Sequence, residues 1–309
     1  MKTSGFLLFR LNFVDRQDLF ERPIVTDDHF IKVVDLAATH EFDITKQGSR
    51  SGYRWALRAA TSGIVDEMER PFIDVMFSRE VTSRRGPIIT PDGIALGTST
   101  VTPPSATLVH IVIDLKRHIV AIEDVPSVIQ PHSGWKAKLQ TILDSAAWKL
   151  EFTSQIRLDP VIPMEIVKSR LESFTRVTRL RVTLRIPNPD LGPSFRRLYE
   201  EMKQGGVREL TEDMRNERGL TLAPETLPQE ALDMAMSGYR KGKIHLHGYN
   251  KDGQRDEFTV ADDVARVEFT KLREFIEGYA AGQKSLALKR FAQVIIQKID
   301  ETVRGKSEP

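Results

Sequence analysis

The chain has 309 residues, 40% hydrophobic and 28% charged, with 45 Lys and Arg against 43 Asp and Glu. That length suits one large or two medium domains. A net charge of +2 excludes a protein that is basic over its whole surface, so any affinity for a polyanion must come from local segregation of charge. With no cysteine, disulfides, thiolate zinc sites and cysteine nucleophiles are excluded, and a reducing compartment fits best.

The first apolar stretch, Phe6–Val14, is interrupted by Arg10 and is too short for a signal h-region or a membrane span. It reads as a strand. Further strands are expected near Ile31–Leu36 and Phe72–Arg79. The segment from Arg84 to Ala106 is dense in Gly, Pro and Thr and reads as a long loop. Residues 107–125, TLVHIVIDLKRHIVAIEDV, place two β-branched runs around Lys116-Arg117, the pattern of a hairpin. No apolar run elsewhere reaches membrane-spanning length, so the expectation is a cytoplasmic protein.

From about Lys136 the period changes. Leu139, Ile142, Leu143, Ala146, Ala147 and Leu150 fall on one helical face. Pro163–Phe174 is a second helix, with proline in its first turn. A strand follows and is stopped by Pro187-Asn188-Pro189, because proline cannot donate to a sheet ladder. Asp190 is placed to cap a helix over Pro193–Gln204 that Gly205-Gly206 closes. Pro228–Tyr239 is a short helix, and residues 242–263 form a hairpin turning at Asn250–Gly253. Gln283–Thr302 is a final amphipathic helix. Strands mixed with helices without strict βαβ alternation predict an α+β fold of mixed, largely antiparallel sheets with flanking helices. Two domains are expected: a strand-rich one over 1–155 and a basic mixed one over 156–303, with a polar tail at 304–309.

The run TRVTRLRVTLRIPNPD (175–190) carries the most chemistry. Arg179, Arg181, Thr183 and Arg185 share one strand parity, and Leu180, Val182, Leu184 and Ile186 share the other. Residues 168–197 hold eight Lys and Arg, including Arg176, Arg196 and Arg197, against Glu172 and Asp190 alone. Same-face residues on a strand recur every ~6.7 Å, close enough to the phosphate repeat for an arginine row to follow a nucleic-acid backbone. The later hairpin repeats the design, with Lys241, Lys243, His245 and His247 on one face. Arginine suits forked donation to phosphate oxygens. The ordinary reading is a solvated sheet face, neutralised by Glu200, Glu201, Glu209 and Glu212 nearby in sequence. No helix-turn-helix, homeodomain or zinc-finger signature is present, so double-stranded DNA would be held through its backbone without sequence preference.

Two catalytic patterns are weaker. Pro91-Asp92 followed by Asp114-Leu115-Lys116 suits a Mg-dependent PD-(D/E)xK nuclease, in which Asp92 and Asp114 hold the ion and Lys116 activates water, with Glu67 or Glu69 completing the set. A Pro-Asp turn and a hairpin entry explain the same residues without chemistry. His245 and His247 lie on one strand face but lack a third ligand at suitable spacing. No metal, cofactor or small-molecule substrate is therefore expected. GYAAGQKS (278–285) has the wrong order for a phosphate-binding loop.

The order of three segments resembles a known family: IVIDLKRHIVAIED (111–124), then SRLESFTRVTRLRVTLRIPNPD (169–190), then GYNKDGQRDEFTV (248–260). Across roughly residues 105–300 the chain is similar to the RexA-like phage-exclusion proteins. That resemblance implies a homodimeric DNA-binding protein of mixed α/β architecture, acting with a membrane-protein partner to exclude superinfecting phages and binding DNA without sequence specificity. It carries over no catalytic motif and no individual contact residue, so the basic positions rest on strand parity. The alternatives are the nuclease and a non-catalytic scaffold whose basic faces meet an acidic protein.

Overall fold

A computed structural model describes residues 4–15, 25–47, 51–91, 93–130, 134–185, 196–260, 264–269 and 284–303. Among them are twelve strands and six helices, arranged as two antiparallel sheets in an α+β fold.

The large sheet has the order β12-β1-β6-β5-β4-β3-β2, with β7 also paired to β1. Its strands are β1 (Ser4–Asp15), β2 (Ile44–Gln47), β3 (Ser51–Val65), β4 (Arg70–Thr90), β5 (Gly93–Asp114), β6 (Ile119–Glu123), β7 (Ser154–Pro160) and β12 (Arg266–Phe269). Alternation gives the sheet two apolar faces. On one, Phe9, Leu11, Val75, Phe77 and Ile111 pack against α1 (Asp27–Ala37) and α2 (Trp135–Lys149). On the other, Phe6, Leu8, Phe72 and Val112 pack against Phe291, Ile295 and Ile299 of α6 (Lys284–Val303).

Two expectations are corrected here. Ile31–Leu36 is not a strand but the middle of α1. Phe30, Val33, Val34 and Ala37 recur at helical spacing and are all buried, and Asp27 and Asp28 occupy the first turn, where carboxylates complement the helix dipole. The segment 84–106 is not a loop but the outer arm of the β4–β5 hairpin, paired rung by rung to Thr90↔Gly93. Its prolines are tolerated because, among the described residues, neither outer edge of the arm is paired to a further strand. The β3 pairing to β4 ends at Arg84, and the β6 pairing to β5 begins at Ile111. Pro103 and Pro104 sit in a bulge where the ladder passes from Val81↔Ser105 to Ser83↔Thr100.

Ile89 and Leu96 near the arm's tip are 91% and 70% exposed. Substituting both with aspartate should leave the unfolding free energy within about 0.5 kcal/mol of the parent, as at other surface positions. Urea denaturation reads this, and a loss of several kcal/mol would mean that the tip is packed.

The small sheet has the order β11-β10-β8-β9, formed by β8 (Phe174–Arg185), β9 (Glu209–Arg215), β10 (Ile244–Asn250) and β11 (Arg255–Val260). Val177, Leu180, Val182, Leu184, Ile244 and Leu246 face a helical layer of α3 (Met164–Ser173), α4 (Arg196–Gln204) and α5 (Leu227–Met236), burying Val167, Leu198, Met202, Leu232 and Ala235. The proline stop at 187–189 and the cap at Asp190 lie outside the described residues.

The strand-rich and basic halves of the sequence suggest a break near residue 155. In the structure Gln155 lies within β7, opposite Val14 of β1, and the chain returns to the large sheet at β12 and α6. The small sheet is thus set between β7 and β12. The junction is polar. Arg10, 2% exposed, donates from Nε to the Ser237 carbonyl at 2.8 Å and stacks 4.4 Å from the Tyr239 ring centroid. Gly238 is necessary here: its φ is +89°, and a Cβ would stand 2.5 Å from Arg10 Cβ.

Candidate nucleic-acid interface

The outer face of the small sheet carries the predicted row. Arg179, Arg181, Thr183 and Arg185 point away from the helices while Leu180, Val182 and Leu184 are buried. A bulge at Thr178 shifts the register between His247↔Arg179 and Gly248↔Val177. It brings Arg176 onto the same side, where its guanidinium lies 4.4 Å from the Tyr249 ring centroid. Next door on β10, His245, His247 and Tyr249 face outward between buried Ile244 and Leu246. Arg181 is flanked by His245 and Asp213, and Arg179 by His247 and Arg215.

The arginines are not equivalent. Arg179 forks onto Asp213, with Nε at 2.7 Å and Nη2 at 2.8 Å. Arg215 reaches the same carboxylate at 3.2 and 2.8 Å. Hydrogen bonds from Arg179 and then Arg215 hold the Asp213 carboxyl far below the usual carboxylate range, and the same contact raises both guanidinium pKa values. Arg185 bonds Asp159 of β7 at 2.8 Å and lies 3.5 Å from Glu209, with its side chain only 14% exposed. It ties β8 to β7 at the junction between the sheets, so within the predicted row it is already paired. Lys241 also bonds Glu209, at 2.8 Å. That bond, with Lys241 and Arg185 charge beside it, lowers the Glu209 carboxyl. Among the described residues, Arg176, Arg181, Lys243 and Arg255 have no carboxylate within ion-pairing distance, and all four are exposed.

Other predicted positions part from this face. Arg196 and Arg197 begin α4 in the helical layer on the opposite side of the sheet, and Arg197 donates to Glu230 at 3.1 Å. His245 contacts the Thr259 hydroxyl at 3.1 Å, and His247 lies 3.6 Å from Glu257. The predicted positions omit Arg215 and Arg255, which lie on β9 and β11, and Tyr249, which shares the parity of His245 and His247 on β10. The alternation in ELTEDMR and RDEFTV, which sets Arg215 and Arg255 outward, was the available signal.

The nuclease residues do not assemble among the described residues. Asp92 lies outside them. Asp114 is fully buried at the end of β5, where it accepts from Arg70 Nε at 3.2 Å, from Arg70 Nη2, and from the Arg117 amide at 3.3 Å. Burial pushes its carboxyl pKa up, against the pull of Arg70 and Arg117. Lys116 is exposed on the following turn, Glu67 accepts from Gln293, and Glu69 is exposed beyond the short helix 66–68. No group of three potential metal ligands occurs among the described residues.

Residues 100–271 match the family described as Domain of unknown function (DUF4747). The chain belongs to that family. The match takes in most of β5 and the whole small sheet, so the outer face of this DUF4747 chain lies inside the segment that defines the family. No curated protein matches it. None of its described helices is long and apolar enough to cross a membrane.

Proposed function

We propose that the outer face of the small sheet binds double-stranded DNA through its phosphates, without reading bases. One observation carries this reading. Arg176, Arg179, Arg181, Arg215 and Arg255, with Lys243 beside β10, crowd one sheet face where the opposing carboxylates are Glu209, Asp213, Glu217 and Glu257. Asp213 is shared by two of the arginines, and Glu209 is taken by Lys241 and Arg185. Four cations are left for phosphates. Phosphate contacts position a protein on a duplex but carry no sequence information.

From the resemblance to RexA-like proteins this reading takes its setting: a cytoplasmic homodimer that acts in phage exclusion with a membrane-protein partner. Anisotropy titrations with unrelated duplexes at graded salt test the binding. Similar affinities that weaken steadily with salt are expected. One duplex bound a thousandfold tighter than scrambled competitors would overturn the reading. EDTA should change nothing, whereas Mg-dependent cleavage that stops with EDTA would favour the nuclease.

A further inference from the structure

At one end of the same face lies a depression of about 400 Å³, within the size range of small-ligand sites. The backbone makes it. The β8 bulge and Gly248 form its floor, and a Cβ on Gly248 would stand 2.3 Å from the Arg176 carbonyl oxygen, so no other residue fits there. Tyr249 lines it as an aromatic wall, held by the Arg176 guanidinium over its ring and by Arg255 Nε, which donates to its hydroxyl at 3.4 Å.

The lining is mixed in charge. Arg215 and Arg255 supply guanidinium donors, and Arg215 is 64% exposed even while paired to Asp213. Glu217 and Glu257 line the same hollow, and the Glu257 side chain is 77% exposed. A bare phosphate row needs only cations, and an apolar ligand needs neither sign. A flat π surface between fixed cations and carboxylate acceptors matches a nucleotide. Its phosphate takes the guanidinium forks, its base stacks on tyrosine, and its amino and imino donors meet carboxylates. In a duplex both the base face and the donor edge are occupied by stacking and pairing.

We infer that this depression binds a single unpaired nucleotide, free or within a single strand. The inference rests on the phosphate-binding reading of the same face and adds a preference to it.

The test measures anisotropy of a labelled mixed-sequence single strand and of its blunt duplex, with a nucleoside monophosphate or inorganic phosphate as competitor. The single strand should bind more tightly than the duplex, and the monophosphate should displace it where equimolar inorganic phosphate does not. Displacement at low concentration identifies a free nucleotide as the ligand, and displacement only at high excess identifies a strand-borne one. Tyr249→Leu should weaken the single strand by about tenfold, within the range for removing one base–aromatic stack, while Tyr249→Phe retains binding. Arg255→Gln, at an exposed position, should weaken it as well and guards against misfolding of the tyrosine variant. A duplex bound as tightly as the single strand, with neither substitution mattering, overturns this inference and leaves the phosphate reading intact. If neither nucleic acid binds, that reading falls and this inference with it.

Discussion

Replacing Asp114 by alanine is expected to lower the free energy of unfolding by about 3–5 kcal/mol, the range for removing one member of a buried ion pair. The carboxylate has no exposure, and the Arg70 side chain that bonds both of its oxygens is 6% exposed. Alanine would leave that guanidinium in the interior facing Asp300 of α6 alone, at 3.4 Å from Nη1. It would also free the Arg117 amide. Asp300 remains to neutralise part of the charge, which argues for the lower end of the range. The double substitution Asp114→Leu with Arg70→Met should recover most of the loss, since well-packed apolar residues replace buried pairs at little cost. Urea denaturation of the three proteins decides it. A single-mutant loss below about 1 kcal/mol would show that the pair is nearly neutral to stability, against the usual penalty of an unpaired buried charge. The result also bears on the nuclease alternative. Loss of a DNA transaction in an Asp114→Ala protein says nothing about catalysis unless the fold survives, whereas Lys116→Ala, on an exposed turn, is a clean probe.

The outward row on β8 and the histidines of β10 were legible because a strand with one buried face alternates strictly, and both runs do so over several residues. The α1 helix was not. Ile31, Val33 and Val34 within four residues satisfy a strand pattern as well as a helical one, and only Phe30 and Ala37 at the ends of the stripe separate the two. The β4–β5 arm was hidden by its prolines, which signal a loop unless the strand edge is known to be free. The partners that divide the arginines into bound and available were beyond local reasoning. Asp213 is 34 residues from Arg179, and Asp159 is 26 from Arg185, on a strand of the other sheet. Charge counting along the sequence therefore located the outward arginine row of β8 but not which of its cations are already paired.

That division sets the expected salt dependence. Substituting Arg176, Arg181, Lys243 and Arg255 together with glutamine should lower the log–log salt slope of duplex binding by up to ~3.6 units, at ~0.9 for each phosphate no longer neutralised. All four are exposed and, among the described residues, without a carboxylate partner, so the fold should tolerate the change. Substituting Arg179, Arg181 and Arg185 with alanine should behave differently. Only Arg181 is unpaired in that set, so the slope should fall by ~0.9. Affinity should nevertheless drop further than the removal of one phosphate partner implies, because Asp213 and Asp159 are each deprived of a guanidinium that neutralises them. The triple variant should also be less stable, since Arg185 ties β8 to Asp159 of β7 across the junction between the sheets. In both proteins the weakening should be equal for unrelated duplexes, as binding through phosphates requires. Equal slope changes in the two sets would mean that the Asp213 and Asp159 pairs open to admit phosphates. An unchanged slope in the fourfold glutamine variant would remove the outer face from DNA binding altogether.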